Sequence, residues 1–173
     1  MILDLVKYPD KLLYQKSLEV VEFDENLHKF LDDMYETMVS SNGIGLAAVQ
    51  VGELKRIFII NIPEEEKPQV KSKTLEVINP KITPLTKELE CYQEGCLSVP
   101  GYFDDITRPN LIRLEYQDRF GKSHTLEATG LLAVAIQHEN DHLEGHLFIE
   151  KLGYKAKKNF QKFFKESTKN QSK

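Results

Sequence analysis

GLLAVAIQHENDHLEG, residues 130–145, constrains the fold more than any other stretch of this chain. Read as one helix, it is apolar at first, polar later and closed by Gly145, so other elements have to cover its first turns. Within it, His138-Glu139-x-x-His142 puts two imidazoles one turn apart on the same face, where both can bind a single ion. Glu139 lies about 100° further round, beside such an ion rather than on it, where a carboxylate can take a proton from bound water. Two histidines and a glutamate do not decide which bond is broken. A third ligand has to be found.

The downstream candidates are poor. A third histidine at metzincin spacing is missing, because Phe148 stands in its place. His146 lies beyond the helix-ending glycine. Glu150 and Glu166 are the glutamates available for a thermolysin-like site, and neither belongs to a recognisable second motif. The better candidate is upstream, in QEGCLSVPG (93–101). There Cys96 follows a glycine that allows close backbone approach, and Pro100-Gly101 predicts a turn soon after. A thiolate beside two imidazoles suits Fe(II) or Zn(II).

Cysteine usage agrees with a ligand role. Cys91 and Cys96 are the only two cysteines in 173 residues. The start MILDLVKYPD lacks the basic and apolar regions of a signal peptide, and no apolar run approaches the roughly 18 residues of a membrane span. A cytosolic protein with reduced thiols is therefore expected. An apolar content of 40 % and a charged content of 29 % are those of an ordinary globular domain. The net charge of −4 is uneven: from Lys155 onward there are seven lysines and one glutamate, a local +6 that leaves −10 elsewhere. A basic tail of this kind predicts either a polyanionic partner or a solvated helix.

DENLHKFLDDMYETMVSSNG (24–43) predicts a second amphipathic helix, with Asp24 as N-cap and Asn42-Gly43 as stop. RIFIINIP (56–63) reads as a buried strand, EEEKPQVKSK (64–73) as a surface loop. TLEVINP (74–80), KELECYQ (87–93) and LIRLEYQD (111–118) read as further strands, and RFGKSHTLEA as a turn at Gly121 with a returning strand. A terminal helix is expected over about 155–166, with Phe160, Phe163 and Phe164 on its apolar side. Helices and short, mostly antiparallel strands in this arrangement define an α+β chain of one domain, 1–173. SNGIGLAAVQVG (41–52) is rich in small residues but has neither a Walker lysine nor a preceding strand, so phosphate and dinucleotide sites are poor readings. Spacing leaves Gln50 open, as a solvent-exposed strand residue or a side-chain amide donor.

GIGLAAVQ (43–50), EGCLS (94–98) and QHENDHLEG (137–145) together resemble the three signature motifs of the peptide deformylases, in that family's order and at similar spacing. The likeness extends from YPD (8–10) to the basic end. It implies short, mostly antiparallel sheets around a central metal-binding helix, plus a C-terminal helix over about 155–166 and a flexible end, 167–173. It further implies that Cys96, His138 and His142 bind a divalent metal, Fe(II) in the family's native form, with Ni(II), Co(II) or Zn(II) able to substitute. Glu139 would be the general base and then acid, while the side-chain amide of Gln50 and the backbone N–H of Leu97 would hold the oxyanion.

By the same resemblance, Ile44, Gly45 and Gly95 would pair with the substrate peptide like an added strand. Ile44, Leu131, Val134 and Ala135 would line the methionine pocket, and Glu94, paired with Arg108, would brace the cysteine loop beside the substrate. The implied reaction removes formyl from formyl-methionine of nascent peptides and releases formate. The basic helix, through Lys155, Lys157, Lys158, Lys162 and Lys165, would dock on the ribosome; neither membrane nor DNA is an expected partner. Two departures stand near the mouth of the implied site, Phe103 where many members carry arginine and Tyr92 where an aliphatic residue is common. The rival readings are a metallopeptidase, weakened by the missing third ligand, and a metal-stabilised ribosome-binding module, which would need neither Glu139 nor Gln50. A monomer is expected, since no surplus apolar helix face asks for a partner.

Overall fold

In the computed structural model, which describes residues 1–171, the helix predicted at 130–145 spans Gly130–Leu143 (α2). It leaves through Gly145 in the left-handed region (φ 80°), where a Cβ would sit 2.6 Å from the Tyr14 carbonyl oxygen; glycine is required there on both counts. The other predicted helix spans Glu25–Ser40 (α1), with the Asp24 carboxylate accepting from the Leu27 N–H at 3.0 Å. Asn42 takes a positive φ of 59° to end it.

Seven strands follow in chain order: β1 (Gly45–Ala47), β2 (Ile57–Ile60), β3 (Leu75–Pro84), β4 (Leu89–Cys96), β5 (Val99–Pro109), β6 (Leu111–Gln117) and β7 (Ser123–Thr129). An antiparallel sheet of order β1-β2-β3-β6-β7 forms one body, and β4 and β5 form a separate antiparallel hairpin. β2 is buried throughout because its two faces meet different helices. Ile57 and Ile59 pack with Leu27, Leu31, Met34 and Met38 of α1, while Phe58 and Ile60 pack with Ala133 and Ile136 of α2. Each such fully buried aliphatic side chain contributes about 1.5–3 kcal/mol.

Two strands were not expected from sequence. β1 is three residues of the small-residue stretch, too short to show alternation. β5 runs through Pro100-Gly101, where a turn was expected; the chain turns three residues earlier, at Leu97 and Ser98, and Gly101 (φ 79°) bends the strand. β3 also runs on past Pro80, interrupted by a bulge at which Asn79 adopts φ 52° and bonds both backbone groups of Val20 through its side chain.

The inner face of the hairpin, Tyr102 and Ile106, meets Phe148 and the C-terminal helix in a third cluster. That helix, α3, spans Tyr154–Gln171, so it continues where an end near 166 and a flexible tail were expected. No glycine or proline interrupts it, and Thr168 bonds back to the Phe164 carbonyl at 2.9 Å; residues 172 and 173 of the expected tail lie outside the described residues. Phe160 is buried, and Phe160 and Phe164 stand edge-on to Tyr8 at 5.2 and 4.9 Å. Among the described residues no helix is long and apolar enough to cross a membrane.

Candidate metal centre and active-site cleft

α2 lies between the sheet and the hairpin, so its polar half faces the end of β4. His138 and His142 project together, and Cys96 approaches from the last position of β4, just after the register breaks between Gly95 and Cys96. Their ligand atoms all lie within 4.8 Å of one another, the one such grouping among the described residues. The other candidate ligands lie elsewhere: exposed His146 faces Glu150 at 3.4 Å, and exposed Glu166 is on α3.

The three side chains suit a metal. Cys96 Sγ is 3.4 Å from His142 Nε2, close to the roughly 3.5 Å that separates two ligands of a tetrahedral ion bound at about 2.0–2.3 Å. His138 turns Nδ1 to the Glu94 carboxylate at 2.9 Å, which leaves Nε2 for the ion in the carboxylate–histidine manner. Burial works against charging His138, yet Cys96, Glu94 and Glu139 hold it well above its ordinary range; this spot favours positive charge. Burial, His138 and Arg108 push His142 well below its usual range, so it stays neutral and able to ligate.

Glu94 lines the cleft and meets Arg108, the partner the resemblance implied, with both of its carboxylate oxygens engaged. Arg108 grips them in a fork at 2.7 and 2.9 Å, His138 takes one as well, and Arg108 reaches on to Asp141 at 2.9 Å. Burial would raise Glu94, but Arg108 and His138 outweigh it and hold the carboxyl below its usual range. The Arg108–Glu94 pair is almost fully enclosed and joins β4 to β5 within the hairpin, while the contacts to His138 and Asp141 tie the hairpin to α2. Asp141 went unremarked in the sequence; its only signal is a place three residues after His138.

Glu139 is buried beside the cluster, and burial pushes its carboxyl up to about 7, where a proton can be taken and returned near neutrality. Gly45 makes room for it: a Cβ on that residue would come within 2.9 Å of the Glu139 carboxylate. Gln50 is enclosed, not a solvent-exposed strand residue. Its Oε1 accepts from the Ala47 N–H at 2.9 Å, which orients the amide, and its Nε2 points to Cys96 Sγ at 3.3 Å and Ser98 Oγ at 3.1 Å.

These groups open into a cleft of about 590 Å³ lined by all of Ile44, Gly45, Gln50, Glu94, Gly95, Cys96, Leu97, Leu131, Val134, Ala135, His138 and Glu139. His142 lies behind them, 1 % exposed. β1 is an edge of the sheet and β4 an edge of the hairpin, so the cleft runs between two strand edges. Phe103 stands at the rim, its ring across the backbone of Gly95. Sequence reading missed Ser41, Asn42, Gln93 and Pro100 in the lining, and missed Gln69, whose side chain returns from the 64–73 loop to the Gly43 carbonyl at 3.0 Å.

A thiolate–imidazole centre with a helix-borne carboxylate beside it, at the floor of an open cleft, defines a metal-dependent hydrolase. Residues 2–158 match the family model of polypeptide deformylase, and the chain belongs to that family. It is 52 % identical over 173 residues to a peptide deformylase of Campylobacter jejuni, covering 100 % of this chain and 99 % of that protein. It is also 52 % identical over 170 residues to one of Helicobacter pylori (98 % and 97 %). The crystal structure of the Ehrlichia chaffeensis peptide deformylase in complex with actinonin superposes with a TM-score of 0.86 at 42 % identity, over 96 % of this chain and 97 % of that one. A peptide deformylase of Plasmodium falciparum superposes with a TM-score of 0.89 at 36 % identity, over 96 % of each.

Proposed function

We propose that this chain, acting as a single catalytic domain, hydrolyses the terminal formamide of formyl-methionyl peptides, releasing formate and a free amino terminus. The observation that carries the reading is the convergence of Cys96, His138 and His142 with Glu139 and the Gln50 amide at the floor of a cleft between two strand edges. Cys96, His138 and His142 would hold one divalent ion, with Fe(II) proposed as the native metal. When bound, it supplies the Lewis acidity that makes an amide carbonyl open to water near neutral pH.

The protein's own groups do the rest. The substrate backbone pairs with Ile44, Gly45 and Gly95, and its methionine side chain enters between Ile44, Leu131, Val134 and Ala135. Glu139 removes a proton from the attacking water and returns it to the departing nitrogen. The Gln50 side chain and the Leu97 backbone N–H donate to the oxygen that becomes negative. Glu94 and Arg108 keep His138 in the tautomer that presents Nε2. The substrate is a newly made chain in the cytoplasm, and the exposed lysines of α3, Lys155, Lys157, Lys158, Lys162 and Lys165, face the ribosome.

The test is formate release from formyl-Met-Ala-Ser by protein purified anaerobically with Fe(II), run beside an unformylated peptide. Release that Glu139→Ala abolishes, with the unformylated peptide intact, is the expected result. No formate from fully metallated protein overturns the reading. Salt-sensitive co-sedimentation with ribosomes, lost when the five lysines are replaced by glutamine, tests the docking.

A further inference from the structure

Both ends of the Gln50 amide are tied by groups outside the metal centre, and one of them leads to the beginning of the chain. Ser98 is fully enclosed, and its hydroxyl donates to the Val6 carbonyl at 2.7 Å. That bond aims the hydroxyl's lone pairs elsewhere, and one of them receives the Gln50 Nε2–H at 3.1 Å. The backbone of the same segment holds both partners: the Val6 N–H donates to the Gln50 carbonyl at 2.7 Å and the Tyr8 N–H to the Ser98 carbonyl at 2.8 Å. We infer that Ser98, anchored by the Val6–Tyr8 segment, is a positioning residue that accepts one hydrogen of the Gln50 amide and so fixes the direction of the other, which points to the cleft-lining Cys96 Sγ.

This rests on the proposed role of Gln50 and adds its cause. An amide with two hydrogens beside a sulfur and an empty acceptor position has two orientations to choose from. With Ser98 accepting one hydrogen and the Ala47 N–H on Oε1, only one orientation satisfies every group. Without the hydroxyl acceptor, only the 3.3 Å contact to Cys96 Sγ holds Nε2, and the amide turns from the position in which it serves the developing charge. Ser98 touches neither the substrate nor the reacting atoms; it acts through Gln50.

The experiment is a double-mutant cycle on Ni(II)-loaded protein with formyl-Met-Ala-Ser, comparing Ser98→Cys in the parent and in Gln50→Ala; Ser98→Ala runs alongside. Cysteine fills the hydroxyl's volume and accepts hydrogen bonds poorly, so it carries the measurement if the alanine variant misfolds. In the parent, kcat falls about tenfold while KM stays within about twofold, as a transition-state donor demands. In the Gln50→Ala background the same change has no further effect on kcat. Equal losses in both backgrounds, or a loss in KM alone, overturn the inference.

A second readout needs no turnover. In ¹⁵N-labelled protein loaded with Zn(II), the side-chain amide hydrogens of Gln50 exchange slowly with solvent, and Ser98→Cys speeds that exchange. Unchanged exchange also overturns the inference. Should the parent release no formate at all, the proposed function fails, and the exchange measurement still decides whether Ser98 holds the amide.

Discussion

α2 and α3 are both helices with polar stripes, and the two stripes have opposite fates. In α2 the stripe points inward: Glu139 and His142 are enclosed and His138 nearly so; His138 meets Glu94, His142 meets Cys96, and Glu139 stands 3.9 Å from His142. In α3 the lysines point to solvent while Phe160, Phe163 and Phe164 hold the helix to Tyr8 and Tyr102. A buried polar group is costly unless paired, so a chain retains one only where something is done with it. An exposed lysine costs almost nothing, and its presence alone says little. The contrast explains why the chemistry is read from α2 and only a docking hypothesis from α3.

Substitutions on both sides probe that contrast, from the largest expected effect to the smallest. Replacing Glu139 by alanine lowers kcat by about 10²–10⁴ with metal content unchanged, by steady-state kinetics and metal analysis; metal lost along with activity would make the carboxylate structural. Arg108→Met leaves Glu94 enclosed without its partner and destabilises the protein by about 3–5 kcal/mol in urea unfolding. Adding Glu94→Gln to that variant recovers part of the loss, and no recovery would show that Arg108 acts by packing alone.

On the other helix, Phe160→Ala removes a buried ring and costs about 3 kcal/mol. Its effect on kcat is small, because the centre is built from α2 and the hairpin; a kcat drop comparable to that of Glu139→Ala would erase the distinction between the helices. Replacing Lys157 and Lys158 by glutamine shifts stability by no more than about 0.5 kcal/mol, checked by thermal melting.

The β6–β7 turn adds a pH-dependent case. Asp118 accepts from the backbone N–H groups of Phe120 and Lys122 at 2.9 and 3.0 Å and from His124. Burial raises Asp118, but His124 and the two backbone donors outweigh it and leave its carboxyl below the usual range. A depressed carboxylate stabilises the fold at pH above its unfolded value, near 4, and that stability fades as pH falls through the folded value. The urea midpoints of the parent and of Asp118→Asn therefore differ at pH 6 and converge toward pH 3. A gap that widens in acid would reverse the sign and refute the assignment.

Much of this was legible in the sequence because it depends on local pattern. Apolar spacing at three and four residues placed α1, a run apolar at first and polar later placed α2, and Asp24, Asn42 and Gly145 marked their ends through capping chemistry that acts within a few residues. The His-Glu-x-x-His spacing put two ligands on one face, and Cys96 followed once the downstream candidates had been weighed. β1 and β5 were not legible. The first is three residues long, and the second begins with Val99-Pro100-Gly101, a run that by local preference turns but here bends inside a ladder of inter-strand bonds. The end of α3 was also misjudged, because a polar helix without glycine or proline carries no stop signal.

What the sequence determined by itself is the inventory and the short-range geometry: two imidazoles and a carboxylate on adjacent turns, a thiol in a glycine-flanked segment, an amide at the end of a small-residue run. Only the tertiary structure decided how these meet. Glu94, beyond its implied partner Arg108, was joined to His138, Asp141 was joined to that pair, and Gln50 was oriented by Ala47 and by Ser98, itself held from Val6. The reason is one of range. Helix periodicity and capping are settled within a turn or two of chain, whereas a buried hydrogen-bonding group takes its partner from whichever segment packing brings within about 3 Å, and nothing in its neighbours along the chain names that partner.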